Sequence, residues 1–317
     1  MNQQKKKWKN KSKLAFAVAI IPFIGFILFR GFPLVLSFIG IFCNIDLYNF
    51  GNIQWNNFAG IKSVFVPGYA HELFYFDMSK YFYKAVIITL LMVVCSVAIL
   101  GISLFIATLL REDFKGNKLL QVLFFIPNVC SVVSIALMFL WLFDWEGGVL
   151  NTILGTNIKW LDDPRFMTWC IIIARLWGGP AYGIVMYKAA FSNINSSLYE
   201  AAAVDGANAW QKFRHVTLPS ISPTTFFLLQ TGLTAGFTLY DLARLIINDA
   251  YGIPGGKGAS GITLMRLVIY SIMNSSTTDA NGISYMVSCA CVISWAMFAV
   301  IGTLTAVLFR LREKSAE

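Results

Sequence analysis

Glu200-Ala201-Ala202-Ala203-Val204-Asp205-Gly206-Ala207, running on through Trp210, Phe213 and Val216 to Leu218-Pro219, is a polar, alanine-rich island between two long apolar stretches. Its local signals predict a helix–turn–helix. Ser197 followed three residues later by Glu200 reads as a capping box that starts a short helix. Residues 198–205 are mostly good helix formers, and Gly206 supplies the left-handed turn that stops them. A second short helix is expected from about Asn208, with Trp210, Phe213 and Val216 at helical spacing, up to Pro219, which disfavours its continuation. The alanines leave a narrow, smooth helix that another protein surface can approach closely.

Outward from the island the chain is apolar. The 317 residues are 57% hydrophobic and only 13% charged, whereas a soluble domain is about half apolar and a quarter charged. The expected fold is all-α: one polytopic membrane domain of six transmembrane helices, at residues 14–42, 85–110, 119–143, 166–187, 224–245 and 283–309, with the island at 188–223. Each stretch is long enough to cross a bilayer with some tilt. Pro22 and Pro33 should bend the first span, Pro127 lies in the third, and Gly178-Gly179-Pro180 should interrupt the fourth. Residues 14–42 are too long for a cleavable signal peptide and read as a span. The loops are too short to build a sizeable core of their own. The six cysteines are scattered, mostly inside spans and without a Cys-x-x-Cys pair, so they read as packing residues.

A net charge of +9 invites a nucleic-acid partner, but topology explains it better. Six spans put both termini and the island on one side, and that side carries fifteen Lys and Arg residues outside the spans against seven on the other. The positive-inside rule makes the richer side cytoplasmic. The island therefore lies where a cytoplasmic partner reaches it.

The island resembles the EAA loop of the membrane subunits of binding-protein-dependent ABC importers. Matching positions are Glu200, Ala201, Ala202, Asp205, Gly206, Ala207, Phe213, Leu218 and Pro219, with Val216 where isoleucine is commoner. The resemblance extends over about 82–229. Phe124-Phe125-Ile126-Pro127, Trp141-Leu142-Phe143, Gly148-Val149-Leu150-Asn151, Trp160-Leu161 with Pro164, and Trp177 look like the carbohydrate-uptake branch, the first permease of maltose-type and glycerol-3-phosphate-type importers. It implies a permease of the bacterial cytoplasmic membrane that imports a sugar, in the class of oligosaccharides, by alternating access. The partners it implies are a second homologous permease, two ATPase subunits that carry ATP and Mg, and an extracytoplasmic solute-binding protein. The loop residues Glu200, Ala201, Ala202, Asp205, Gly206, Phe213, Leu218 and Pro219 would couple to the ATPase. Two departures stand out: Asn195 replaces the proline usual before the island, and residues 249–260 are longer and rearranged where the family reads Gly-Gly-Pro.

The chain shows no catalytic, cofactor or metal motif. Gly252-Ile253-Pro254-Gly255-Gly256-Lys257-Gly258 superficially resembles a phosphate loop, but it has one residue too few between its glycines and no Ser or Thr after Lys257, and it reads as a flexible turn. Polar groups at membrane depth are the other functional candidates, because a central charge costs roughly 3 kcal/mol unless paired or facing a cavity. They are Arg175, Asp241 and Arg244, with Asn128, Trp177, Tyr182 and Tyr240 offering the hydrogen bonds and stacking faces that sugars use. Asp241 and Arg244, three apart on one helix, can neutralise each other, and Arg175 can bond carbonyls near Gly178-Gly179. Two alternatives stay open: an ABC permease for a non-sugar solute, and an ion-driven secondary transporter, which would want a buried acidic relay.

Overall fold

The computed structural model describes residues 16, 18–45, 53–69, 77–111, 114–249, 253–275 and 285–314. The described residues are mostly helical. In order they form α1 (Val18–Ile39), a hairpin of β1 (Cys43–Ile45) and β2 (Ile53–Trp55), α2 (Ala59–Phe65), α3 (Met78–Leu109), α4 (Asn117–Val129) and α5 (Val132–Leu142). Then come α6 (Val149–Leu154), α7 (Met167–Ser192), α8 (Ser196–Val204), α9 (Ala209–Lys212), α10 (Leu218–Phe237), α11 (Asp241–Ile246), α12 (Leu264–Met273) and α13 (Met286–Lys314). Among the described residues α1, α3, α7 and α13 are long and apolar enough to cross a membrane, and α4 with α5 makes a fifth crossing if the bent pair counts as one.

Three expected spans are reshaped. The third is two helices bent by 102°. Pro127 lies in the last turn of α4, where it can offer no N–H, and Ser131 then caps α5 by accepting a hydrogen bond from the Ser134 N–H at 3.1 Å. The fifth splits into α10 and α11 around residues 238–240. The fourth is not interrupted: Gly179 is helical, its N–H bonds to the Arg175 carbonyl at 2.8 Å, and Pro180 starts the next turn, where a missing N–H costs little.

Two further prolines follow π turns. Ile27–Gly31 within α1 ends two residues before Pro33, and Phe213–Thr217 ends two residues before Pro219. Proline crowds the carbonyl four residues back, and one wide turn moves that carbonyl aside. Pro219 consequently does not end its helix. The chain runs from α9 through the π turn into α10.

Contacts divide the chain into two compact units, Met1–Asp77 with Ser271–Trp295 and Met78–Tyr270 with Ala296–Glu317. In the first, the hairpin is the one departure from all-α structure among the described residues, with Cys43 opposite Trp55. There Asn56 Nδ2 donates to Ser288 Oγ at 2.8 Å and Trp295 Nε1 to Ser37 Oγ at 3.2 Å.

The second unit is built on α3, which packs against both α7 and α10. Ala107, Leu110, Ile184, Tyr187, Phe191, Ile221 and Leu228 form its apolar core. Thr89, Ser96 and Ser103 recur every seven residues, so they lie along one stripe of α3, and all three are buried. The helices meet closely because the facing residues are small. A Cβ on Gly183 would sit 2.6 Å from Ser103 Oγ, and one on Gly236 would sit 2.9 Å from Val93 Cα.

The motif Gly148-Val149-Leu150-Asn151 with Trp160 has a physical explanation. Asn151 is 4% exposed and staples its loop. Its amide nitrogen reaches the carbonyls of Asp144 at 3.3 Å, Trp145 at 3.4 Å and Ile158 at 2.9 Å. Its oxygen accepts from Thr156 Oγ1 at 3.0 Å, the Ile158 N–H at 3.2 Å and Trp160 Nε1 at 2.8 Å. A side chain at Gly148 would collide with the Asp144 carbonyl oxygen, 2.2 Å away. Removing the amide leaves several buried groups unpaired, at about 1–3 kcal/mol each. Asn151→Ala should therefore raise hydrogen exchange across residues 144–160 by tenfold or more. Unchanged exchange there would show that the loop is held by other contacts.

Candidate functional site

The island forms the expected helix–turn–helix, with its caps placed differently. α8 starts at Ser196 and is capped by Asn195, whose Oδ1 accepts from the Ser197 N–H at 3.1 Å. Ser197 and Glu200 do not form the capping box. That device belongs to the second helix, where Asn208 and Gln211 bond each other's backbone N–H at 2.9 and 2.8 Å. The displaced cap also accounts for the Asn195 departure, since asparagine caps directly with its side chain. Gly206, at φ +75°, closes α8: its N–H reaches the Ala203 carbonyl at 3.1 Å, and the Ala207 N–H reaches the Ala202 carbonyl at 2.9 Å. This paired pattern needs a left-handed residue.

Packing fixes the back of the motif and leaves its front free. Arg111, just past α3, lies 4.5 Å from the centre of the Tyr199 ring, and its Nη1 donates to Tyr199 Oη at 3.0 Å. Tyr199 Oη and Thr217 Oγ1 share a hydrogen bond of 2.8 Å. Leu218 packs on the apolar core, and Phe213 stacks on Trp210 with centroids 5.7 Å apart. On the other face Val204 is 89% exposed, Trp210 65% and Leu198 48%. Ala201, Ala202, Asp205 and Gly206 line a groove of about 480 Å³ with Gln211 and His215. Glu200 and Pro219 are exposed, and Glu200 has no partner among the described residues.

The membrane-depth candidates do not gather in one place. Arg175 and Tyr182 line a cavity of about 250 Å³ bounded by residues of α3, α7 and α10. Arg175 Nη2 donates to Ser96 Oγ at 2.7 Å, not to carbonyls near Gly178, because the unbroken helix keeps those carbonyls engaged. Trp177 packs edge-on to Phe139 at 5.9 Å. Asn128 is exposed on α4, and Tyr240 and Asp241 begin α11. Arg244 does not pair with Asp241; its Nε lies 3.3 Å from Asp249 Oδ2.

Asp249 leads to Arg266, one of the seven Lys and Arg residues counted from the sequence on the less basic side and not singled out there. Arg266 has a side chain only 1% exposed, and its Nη2 lies 2.5 Å from Asp249 Oδ1. It also donates to the carbonyls of Ala243 at 2.9 Å, Gly261 at 3.2 Å and Ile247. Asp249 Oδ1 accepts the Gly255 N–H at 2.9 Å. Residues 253–264 are therefore not a flexible turn: most are buried, Lys84 donates to the Gly258 carbonyl, and Thr168 donates to the Ser260 carbonyl. The signal was available as an acid and an arginine flanking a glycine-rich stretch. Beside it lies an open groove of about 970 Å³ lined by Lys159, Asp162, Asp163, Arg165, Asn248 and Lys257. Hydrogen bonds from the Arg165 side chain and backbone hold the Asp163 carboxyl down at about 2. Because the depressed value favours the charged form, the pair persists at ordinary pH and is lost only as pH falls through about 2.

Residues 99–314 match the family described as binding-protein-dependent transport system inner membrane component. The chain belongs to that family. It is thus a membrane permease subunit of an ABC transporter, not itself a catalytic enzyme. A probable ABC transporter permease of Mycoplasma genitalium is 29% identical over 82% of this chain and 76% of the relative. The lactose transport permease LacF of Rhizobium radiobacter is 29% identical over 72% of this chain and 75% of its own. The multiple sugar-binding transport permease MsmF of Streptococcus mutans is 27% identical over 93% of both. A crystal structure of a bacterial ABC transporter importing the acidic polysaccharide alginate contains a chain with the same fold, at TM-score 0.77 and 20% identity, covering 98% of this permease and all of that chain.

The buried ion pair at Arg266 and the exposed one at Arg165 should respond differently to mutation. Asp249→Ala strands a buried guanidinium, at a cost of about 3–5 kcal/mol, and should lower the thermal unfolding temperature of the detergent-purified protein. Arg165→Ala removes a pair whose arginine is 80% exposed, and should leave it unchanged. Equal shifts would contradict the assignment of Arg266 as the anchor.

Proposed function

We propose that this permease is the transmembrane subunit of an ATP-driven importer for a sugar, in the class of oligosaccharides, coupled to separate ATPase subunits through residues 196–217. The observation that carries the coupling is a helix–turn–helix anchored behind by Arg111, Tyr199 and Thr217 while its alanine face stays open. The relatives named for lactose and multiple-sugar transport support the sugar. The partners are a second homologous permease, two ATPase subunits holding ATP and Mg, and an extracytoplasmic solute-binding protein. Six crossings follow if α4 with α5 is one and α10 with α11 another, and both termini are then cytoplasmic.

In this reading, closure of the ATPases pushes on α8, with Glu200 pairing to a basic residue of the ATPase. The push reaches the transmembrane helices because Tyr199 ties α8 to Arg111 at the end of α3, and the π turn carries α9 without a break into α10. The solute site opens outward to the binding protein, then inward after hydrolysis. An ion-driven transporter is disfavoured, because no buried acidic relay is present among the described residues; Asp241 is exposed.

Three results test this. Reconstituted with its ATPase and binding protein, the permease should take up oligosaccharide only with internal ATP; uptake driven by an ion gradient alone would refute it. Gly206→Val forces a β-branched residue to φ +75°, at about 1–2 kcal/mol, and should separate ATP hydrolysis from uptake in a complex that still assembles. Normal uptake would remove the turn from the coupling path. In intact cells an impermeant thiol reagent should label Lys257→Cys and not Lys212→Cys. The reverse pattern would invert the topology.

A further inference from the structure

Resting on the sugar-importer reading, we infer that the cavity at Arg175 takes the carboxylate of an acidic sugar residue, so that the imported saccharide is anionic. The argument is an inventory of donors. Ser96 Oγ donates to the Met92 carbonyl at 3.0 Å, Ser103 Oγ to the Ile99 carbonyl at 2.7 Å, and Thr231 Oγ1 to the Phe227 carbonyl at 2.9 Å. Each hydroxyl has one proton, and all three are spent on the helix backbone. The donors left without an acceptor include Arg175 Nη1, buried with none among the described residues, and the Tyr182 hydroxyl, half-exposed and likewise without one.

The charge inventory agrees. No acidic side chain lines the cavity, and Arg175 has no ion pair among the described residues. The contrast with Arg266 is direct, since that buried arginine has Asp249 at 2.5 Å. A guanidinium at membrane depth without a counter-charge is unfavourable. A carboxylate is acceptor-only and fits the planar fork of an arginine, whereas a neutral sugar leaves the cation uncompensated. Ser96, which accepts from Nη2 at 2.7 Å, positions the fork so that Nη1 stays free. The cavity, about 250 Å³, suits the acidic end of one ring and not a whole chain.

The test uses the complete importer in proteoliposomes with matched pairs of oligouronides and their neutral methyl esters, in several linkages. The wild type should take up acids in preference to their esters, and Arg175→Gln should lower uptake of the acid roughly ten- to hundredfold while changing the ester little. Arg175→Lys, which keeps the charge but not the fork, should retain an intermediate preference; assembly and basal ATP hydrolysis of each variant show that it has folded. Uptake of neutral oligosaccharides alone, equal loss of acid and ester, or undiminished acid uptake by Arg175→Gln would each overturn the inference while leaving the sugar-importer reading intact. Absence of uptake of any saccharide by the wild type would instead sink that reading itself.

Discussion

A polar group carried into an apolar interior must find a partner there, and in this permease the stripe of Thr89, Ser96 and Ser103 on α3 supplies the partners. Each hydroxyl serves a different neighbour. Thr89 accepts the Leu264 N–H at 2.9 Å, Ser96 accepts Arg175 at 2.7 Å, and Ser103 shares its one proton between the Ile99 carbonyl at 2.7 Å and the Pro180 carbonyl at 3.1 Å. Because these side chains are small, Gly183 and Gly236 bring α7 and α10 against them. One helix face thus satisfies polar groups and sets the spacing of the bundle. A larger residue on that face would lose both functions at once.

The same constraint decides how the chain handles proline. Pro33 and Pro219 each follow a π turn, Pro180 starts a turn inside α7, and Pro127 contributes to the break between α4 and α5. These are different answers to one problem, the missing N–H and the crowded carbonyl behind it. Which answer is used depends on the next few residues. Where Ser131 can cap a new helix, the chain turns; where no cap is available, the ladder widens and continues.

This explains what was legible in the sequence. The helix–turn–helix, its stop at Gly206 and the apolar stretches could be read directly, because hydropathy and left-handed glycine are local signals. Span integrity could not. The third and fifth spans break and the fourth does not, and a run of apolar letters carries no record of which carbonyls find partners. The pairing of Arg244 was likewise misjudged from spacing: Asp241 is nearer in sequence, but the chain folds Asp249 back toward both Arg244 and Arg266. Long-range partners such as Ser96 for Arg175 have no local signal beyond the heptad recurrence of small hydroxyls.

In the proposed importer, the open alanine face of α8 is the surface on which an ATPase subunit would act. A photocrosslinker placed at Ala202, on the groove, reports its neighbour in the assembled importer. A crosslink to the ATPase subunit is expected, and none when the same probe replaces Val94, which faces outward from α3 at 63% exposure. Crosslinking of Ala202 to lipid alone, with the complex intact, would contradict it.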